Sequence, residues 1–222
     1  MKQRLGPEVI TMRIAKEFKD GSVVNLGYGL PTLCSMYIPE SIRVIFHSEN
    51  GILGYGAPLT TDEREQWDPC VINASAQFVA KLPGMSFFNC ADAFGMIRGG
   101  HIDLAVLGGL QVSERGDLAN WTMPGRSGGM GGAMDLAASG SRIIVGMEHN
   151  TRSGEAKIMN KCTYPLTATE CVNLIVTDLA VIEVTKKGLL LKEIAPGWTI
   201  DEVQELTEPN VIVSNELKEI EL

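Results

Sequence analysis

Residues 102–109, IDLAVLGG, are apolar at successive positions rather than at alternate ones. A strand with one face in water alternates, so this segment has to be covered on both faces. Burial on two sides is the habit of a parallel sheet layered between helices. Residues 22–27 (SVVNLG), 43–48 (RVIFHS) and 142–149 (RIIVGMEH) read as further buried strands. Between them lie helix-like segments. Residues 8–18 carry Val9, Met12 and Ala15 near helical spacing, 33–38 are stopped by Pro39, and 91–100 end in glycine. A short helix is expected from Ala133, and Thr199 with Glu202 forms the capping-box pattern of another. Residues 70–74 and 85–89 read as short strands or strand ends, and the acidic stretch 60–68 as exposed. Residues 171–185 read as one strand, followed by a hairpin-like pair about Lys186-Lys187-Gly188. The order predicts one α/β domain over residues 1–222. Its sheet is open and mostly parallel with flanking helices, and mixed if the hairpin forms an antiparallel edge.

The composition narrows the function. With 222 residues, 45% of them hydrophobic, the chain can bury a substantial core. A net charge of -8 with no Lys/Arg-rich block argues against nucleic acid and anionic membranes as partners. No apolar run approaches the roughly 18 residues of a membrane span, and the start has no continuous apolar stretch typical of a signal peptide. The five cysteines are widely spaced with no C-x-x-C, so neither a disulfide framework nor a zinc knuckle is expected, and a reducing cytoplasm fits. The three histidines are far apart, and no metal site is expected.

In open α/β sheets the site lies outside the carboxyl ends of the strands. Three strand exits are unusual: Gly27-Tyr28-Gly29-Leu30-Pro31, then Ser48-Glu49-Asn50-Gly51, then the glycines at 128–132. The first is no dinucleotide fingerprint, because Pro31 interrupts it and Thr32 stands where a third glycine is needed. It reads as a tight strand-to-helix turn, or as backbone approaching a ligand. The third lacks the Gly-Lys-Ser/Thr of a nucleotide loop; it is a flexible surface loop or a source of backbone N–H groups for an anion or a developing oxyanion. Glu49 is either a solvated turn residue or a nucleophile, since a carboxylate removed from water becomes reactive without needing a base. A carboxylate at one exit and backbone donors at another form a coherent acyl-transfer pair.

At these residues the chain resembles a known family. NLGYGLPT, SENGILGYG, MIRGGHIDLAVLGGLQVSERGDLANW, GMGGAMDL and KCTYPLT are similar to the β subunit of the family I 3-oxoacid CoA-transferases, above all the bacterial two-subunit enzymes acting on acetoacetate, acetate and butyrate. The resemblance runs from Asn25 to the VSNEL near the end. It implies that Glu49 attacks an acyl-CoA and passes through an anhydride to a glutamyl-CoA thioester, in ping-pong fashion. CoA is a transiently covalent substrate, with no metal or redox cofactor. It implies that Gly132, with Gly131 beside it, supplies a backbone donor to the oxyanion, and that Asn50 orients the carboxylate or only shapes the bend. Gly27, Tyr28, Gly29, Gly51, Gly109, Gln111, Arg126 and Met130 become substrate- or CoA-binding candidates. An α subunit is implied as partner, in αβ pairs that dimerise again in the cytoplasm. Lys81, Arg98 and Arg126 are candidates for the CoA phosphates or else ordinary surface cations. Tyr28, Met85, Phe87 and Phe88 are candidates to line the acceptor pocket or else core residues. The chain departs from the family in PGRSGGMGG, with Arg126 in place of a lysine and one residue fewer, and in NASAQF at 73–78. Two further readings are an acyl-CoA hydrolase using the same glutamate and a non-catalytic α/β ligand-binding module.

Overall fold

The apolar runs become neighbouring strands of one large sheet. The computed structural model describes residues 2–126 and 128–221, so Ser127 of the glycine loop lies outside the described residues. In chain order the elements are α1 (Pro7–Ala15), β1 (Val23–Leu26), a 3₁₀ segment (Leu30–Met36), β2 (Ile45–Ser48), β3 (Ile52–Leu53), a second 3₁₀ segment (Thr61–Gln66), β4 (Ser86–Phe87), α2 (Cys90–Arg98), β5 (Leu104–Gly108), β6 (Gln111–Ser113) and β7 (Leu118–Ala119). There follow α3 (Ala133–Ala138), β8 (Arg142–Gly146), β9 (Ile158–Met159), β10 (Val172–Val176), β11 (Ala180–Thr185), β12 (Gly188–Ile194), α4 (Ile200–Glu205) and β13 (Val211–Glu219).

Ten strands pair in the order β13-β12-β11-β10-β8-β5-β1-β2-β3-β4. From β2 through β1, β5 and β8 to β10 every pairing is parallel. Both flanks bring in antiparallel pairs, so the sheet is mixed, as the hairpin about Lys187 implied. A small sheet, β7-β6-β9, lies against one face. Successive side chains of a strand point to opposite faces, which explains the unbroken apolar runs. Leu104 and Val106 pack with Val24, Phe46, Ile144 and Val176 beneath α1, whose Ile10 and Ile14 are buried there. Ala105 and Leu107 pack on the other face with Ile143 and Ile175 beneath α2, α3, α4 and the small sheet, which contribute Ile97, Leu136, Val203 and Val112.

Three expectations are corrected. Residues 171–185 are not one strand: the Thr177 hydroxyl accepts from the N–H groups of Leu179 and Ala180, closing a tight turn between β10 and β11. The helix expected at 33–38 is the 3₁₀ segment Leu30–Met36. Pro31 is accommodated in its first turn, and the hydroxyls of Thr32 and Ser35 each donate to a carbonyl three residues back. Residues 70–74 form no strand, only an isolated bridge from Ile72 to Phe78. The capping box at Thr199 and Glu202 is present, as is one at Thr60 and Glu63 on the exposed acidic segment.

One ion pair ties α1 to β12 across the sheet. The buried Arg13 guanidinium donates to both carboxylate oxygens of buried Glu193, at 2.7 and 2.9 Å, and to Glu17 at 2.8 Å. Burial opposes its charge, but the two carboxylates outweigh burial and raise its pKa. Burial likewise acts to raise the Glu17 pKa, yet Arg13 and Arg142 together hold it below its ordinary value. Glu193→Ala leaves a buried cation without its main partner and is expected to cost about 3–5 kcal/mol in chemical denaturation. Because the folded pKa of Glu17 is depressed, its contribution is full above the ordinary glutamate pKa and is lost as pH falls through the folded value. Glu17→Gln is therefore expected to flatten the acid side of the stability–pH curve.

Candidate active site

The chain passes from β1 to β2 on one side, then later places β5 on the other side of β1. Strand order reverses there, and a crevice opens between the carboxyl ends of β1 and β5. It is a cleft of about 490 Å³. Gly27 and Tyr28 line it from the exit of β1, Glu49 from the exit of β2, Gly108 and Gly109 from the end of β5, and residues 128–132 from the loop before α3.

Glu49 stands one residue beyond β2, half-buried, while the end of the strand behind it is buried. The chain turns at once, with the Gly51 N–H donating to the Ser48 carbonyl at 3.0 Å. Gly51 has φ +110°, and a Cβ there would lie 2.1 Å from the Phe88 carbonyl oxygen, so this turn admits no other residue. The Glu49 Oε2 accepts a hydrogen bond from Asn25 Nδ2 at 3.1 Å. On its other side the carboxyl meets Gly132, where a Cβ would come within 3.3 Å of Oε1 and 3.4 Å of the Phe94 ring. Gly132 has φ −73°, which any residue adopts; glycine serves here by leaving room for the carboxylate.

Several of the residues read from the sequence meet at the cleft: Glu49, Gly131, Gly132, Gly27, Tyr28, Gly109, Arg126 and Met130. Tyr28 is 78% exposed at its rim. Others do not line it. Asn50 turns away from the carboxylate and donates to the Ile72 carbonyl at 2.7 Å, which is the bend-shaping role. The Gly29 N–H is taken by Ser75 Oγ at 2.8 Å, so the NASAQF segment buttresses the first glycine turn. Gln111 is buried, its amide oxygen accepting from the backbones of Thr163 and Tyr164, and it anchors the 161–167 loop instead of facing the cleft. Lys81 pairs with Asp68 at 2.6 Å and Arg98 with Asp135 at 2.7 Å, both away from the lining. Met85 packs on the first core, Phe88 stacks on His47, and Phe87 is exposed on β4. Sequence reasoning missed Asn25 and His47. Their signal was a polar residue inside each of two strands buried on both faces. Among the described residues, no group of three His, Cys, Asp or Glu is clustered to hold a metal ion, and no helix is long and apolar enough to cross a membrane.

Residues 8–206 match the family described as Coenzyme A transferase. The chain belongs to that family. It is 48% identical over 203 residues to a probable succinyl-CoA:3-ketoacid coenzyme A transferase subunit of Bacillus subtilis, covering 91% of this chain and 93% of that one. It is 46% identical over 209 residues to the β subunit of the acetate CoA-transferase of Escherichia coli, covering 94% of each. It is 50% identical over 213 residues to a mitochondrial succinyl-CoA:3-ketoacid coenzyme A transferase of Rattus norvegicus, covering 94% of this chain but spanning only 40% of that relative's length. Among solved structures, an acyl-CoA transferase from Escherichia coli O157:H7 superposes with a TM-score of 0.75 at 18% identity, covering 99% of this chain and 44% of that one. At that identity the likeness shows the fold: an open mixed sheet with flanking helices.

The turn that presents Glu49 allows a contrast. Gly51→Ala adds a clash and a strained φ, and is expected to lower stability by about 1–3 kcal/mol or more. Asn50→Ala removes one exposed hydrogen bond and should cost less than about 1 kcal/mol. Denaturant titration of the two variants side by side checks the difference.

Proposed function

We propose that this chain is the glutamate-bearing subunit of a cytoplasmic CoA-transferase that moves CoA between a short-chain 3-oxoacyl-CoA and a carboxylic acid. The observation that carries the proposal is the Glu49 carboxylate. It stands half-buried in the cleft at the reversal of strand order, with one oxygen bonded by Asn25 and the other beside Gly132. Partial removal from water raises the reactivity of a carboxylate, and the open side of the cleft admits a thioester.

The steps balance without a metal or a redox partner. A Glu49 oxygen attacks the acyl carbonyl carbon, the carbon–sulfur bond breaks, and CoA thiolate leaves an acyl-glutamyl anhydride. The thiolate then attacks the Glu49 carboxyl carbon, and the first acid leaves as its carboxylate, giving the glutamyl-CoA thioester. An incoming carboxylate displaces the thiolate from that carbon. The thiolate then attacks the new acyl carbonyl, releasing the second acyl-CoA and the free Glu49 carboxylate. Each attack passes through an oxyanion. The first N–H groups of a helix have no intrahelical partner, and α3 begins directly after Gly132. A backbone donor there is worth about 3–4 kcal/mol to such an intermediate.

The names of the relatives support a carboxylate acceptor and leave its identity open: relatives of similar identity are named for 3-ketoacids and for acetate. Their subunit names support an α subunit as partner, and the assembly proposed is of αβ pairs that associate further. Arg126 is the one of the three cations considered for the CoA phosphates that lines the cleft.

The test is mass spectrometry of the enzyme reconstituted with its partner subunit and incubated with acetoacetyl-CoA in the absence of acceptor. The Glu49 peptide is expected to gain CoA with loss of water, in an adduct that borohydride reduces. Glu49→Gln and Glu49→Ala abolish adduct and transfer, and Glu49→Asp loses about a hundredfold or more, since one methylene misplaces the attack. Gly132→Ala is expected to keep the fold and lower transfer about tenfold or more by crowding the carboxylate. No adduct at Glu49 under turnover overturns the proposal, and continued loss of acyl-CoA beyond one equivalent per site without any acceptor would make the enzyme a hydrolase.

A further inference from the structure

Asn25, His47 and Glu49 stand on one face of the sheet, because Asn25 and His47 are register partners and Glu49 follows His47 by two residues. Asn25 Nδ2 lies 3.1 Å from Glu49 Oε2 and 3.0 Å from His47 Nδ1. An amide nitrogen has two hydrogens to donate and accepts nothing, so both bonds run outward from Asn25 and His47 Nδ1 is the acceptor. The imidazole is therefore neutral, with its proton on Nε2. Burial lowers the His47 pKa, and the Glu49 carboxylate and the Ala93 backbone only partly offset this, in keeping with a neutral ring. Asn25 and His47 are both fully buried, and Phe88 stacks on the imidazole with centroids 5.9 Å apart. Asn25 Oδ1 finds no partner among the described residues. The hydrogen bond from Asn25 to Nδ1 is the contact that couples the ring to the amide. An apolar side chain at 47 could fill the space against Phe88 but would offer the amide no acceptor.

We propose that His47 is a positioning residue: the lone pair on its Nδ1 locks the Asn25 amide in the one orientation that presents an N–H to Glu49 Oε2. With no acceptor at 47 the amide is free to turn over, and its carbonyl oxygen would then face the carboxylate. The lock leaves Glu49 Oε1, the oxygen beside Gly132, as the attacking atom. This role rests on Glu49 being the nucleophile.

The experiment uses the enzyme assembled with its partner subunit. His47→Leu removes the acceptor and keeps an apolar filling, His47→Gln restores an acceptor oxygen, and Asn25→Ala removes the amide. The readouts are the rate of CoA adduct formation at Glu49, kcat, KM for acyl-CoA and the melting temperature. His47→Leu is expected to slow adduct formation and kcat by about tenfold or more, with KM changed less than about threefold. His47→Gln is expected to recover to within about threefold of the wild type, and the Asn25→Ala/His47→Leu double variant to be no slower than Asn25→Ala alone. His47→Leu reacting at the wild-type rate, His47→Gln as slow as His47→Leu at equal melting temperature, or a double variant whose loss is the product of the single losses would each overturn the proposal. Should His47→Leu fail to fold, ¹⁵N spectra of the wild-type enzyme decide. The chain has three histidines, and the His47 signals are those missing from His47→Gln. A neutral ring protonated on Nε2 is required, and one protonated on Nδ1 overturns the lock. Absence of any adduct at Glu49 in the wild type would overturn the nucleophile instead, and the tautomer would still test the lock.

Discussion

The parallel pairing of β1 with β2 on one edge and with β5 on the other is the constraint on which the site depends. It makes β1 the strand at which the winding reverses, and the reversal opens the crevice. It also sets which side chains share a face. With Asn25 opposite His47, the two polar residues and Glu49 project together, while Val24 and Phe46 enter the core beneath α1. A slip of one residue would send Asn25 into that apolar core and a valine or leucine toward the carboxylate. Burial on both faces excludes such a slip, because each face has its own complete set of apolar residues.

Glu49 gains its character from being neither fully buried nor free in water. One oxygen is bonded to a buried amide, and the other faces a position where only the lack of a side chain leaves room. The turn at Gly51 releases the chain immediately after the glutamate, and Asn50 is drawn off to Ile72. The carboxylate is therefore held from below and from one side, and the approach through the cleft stays open. The same economy runs through the loops around it: Ser75 holds the Gly29 turn, and Gln111 holds the loop that follows β9.

Much of this was legible in the chain. Residues 102–109 could only be a strand covered twice, and the carboxylate and the glycine run at two strand exits were visible as places where chemistry could meet. What misled was local likeness. Residues 171–185 read as one strand because both halves are apolar, and only the Thr177 hydroxyl marks the turn between them. For Met85, Phe87 and Phe88 the sequence left open a pocket or the core, and for Lys81 and Arg98 a phosphate site or the ordinary surface. Their neighbours, remote in sequence, directed them to the core, to the β4 edge or to acidic partners.

The order of amino acids by itself determined the layered α/β class, the strand exits and the placing of Glu49 in the Ser48–Gly51 turn at one of them. These depend on periodicity, on turn-forming glycines and on short runs, all of which act within a few residues. Only the tertiary structure decided that Asn25 and His47 stand behind Glu49, that Gly132 stands before it, and that Asn50 and Gln111 turn elsewhere. Those relations cross 22 to 83 positions of chain, and they come from strand register and layer packing, which no local pattern encodes.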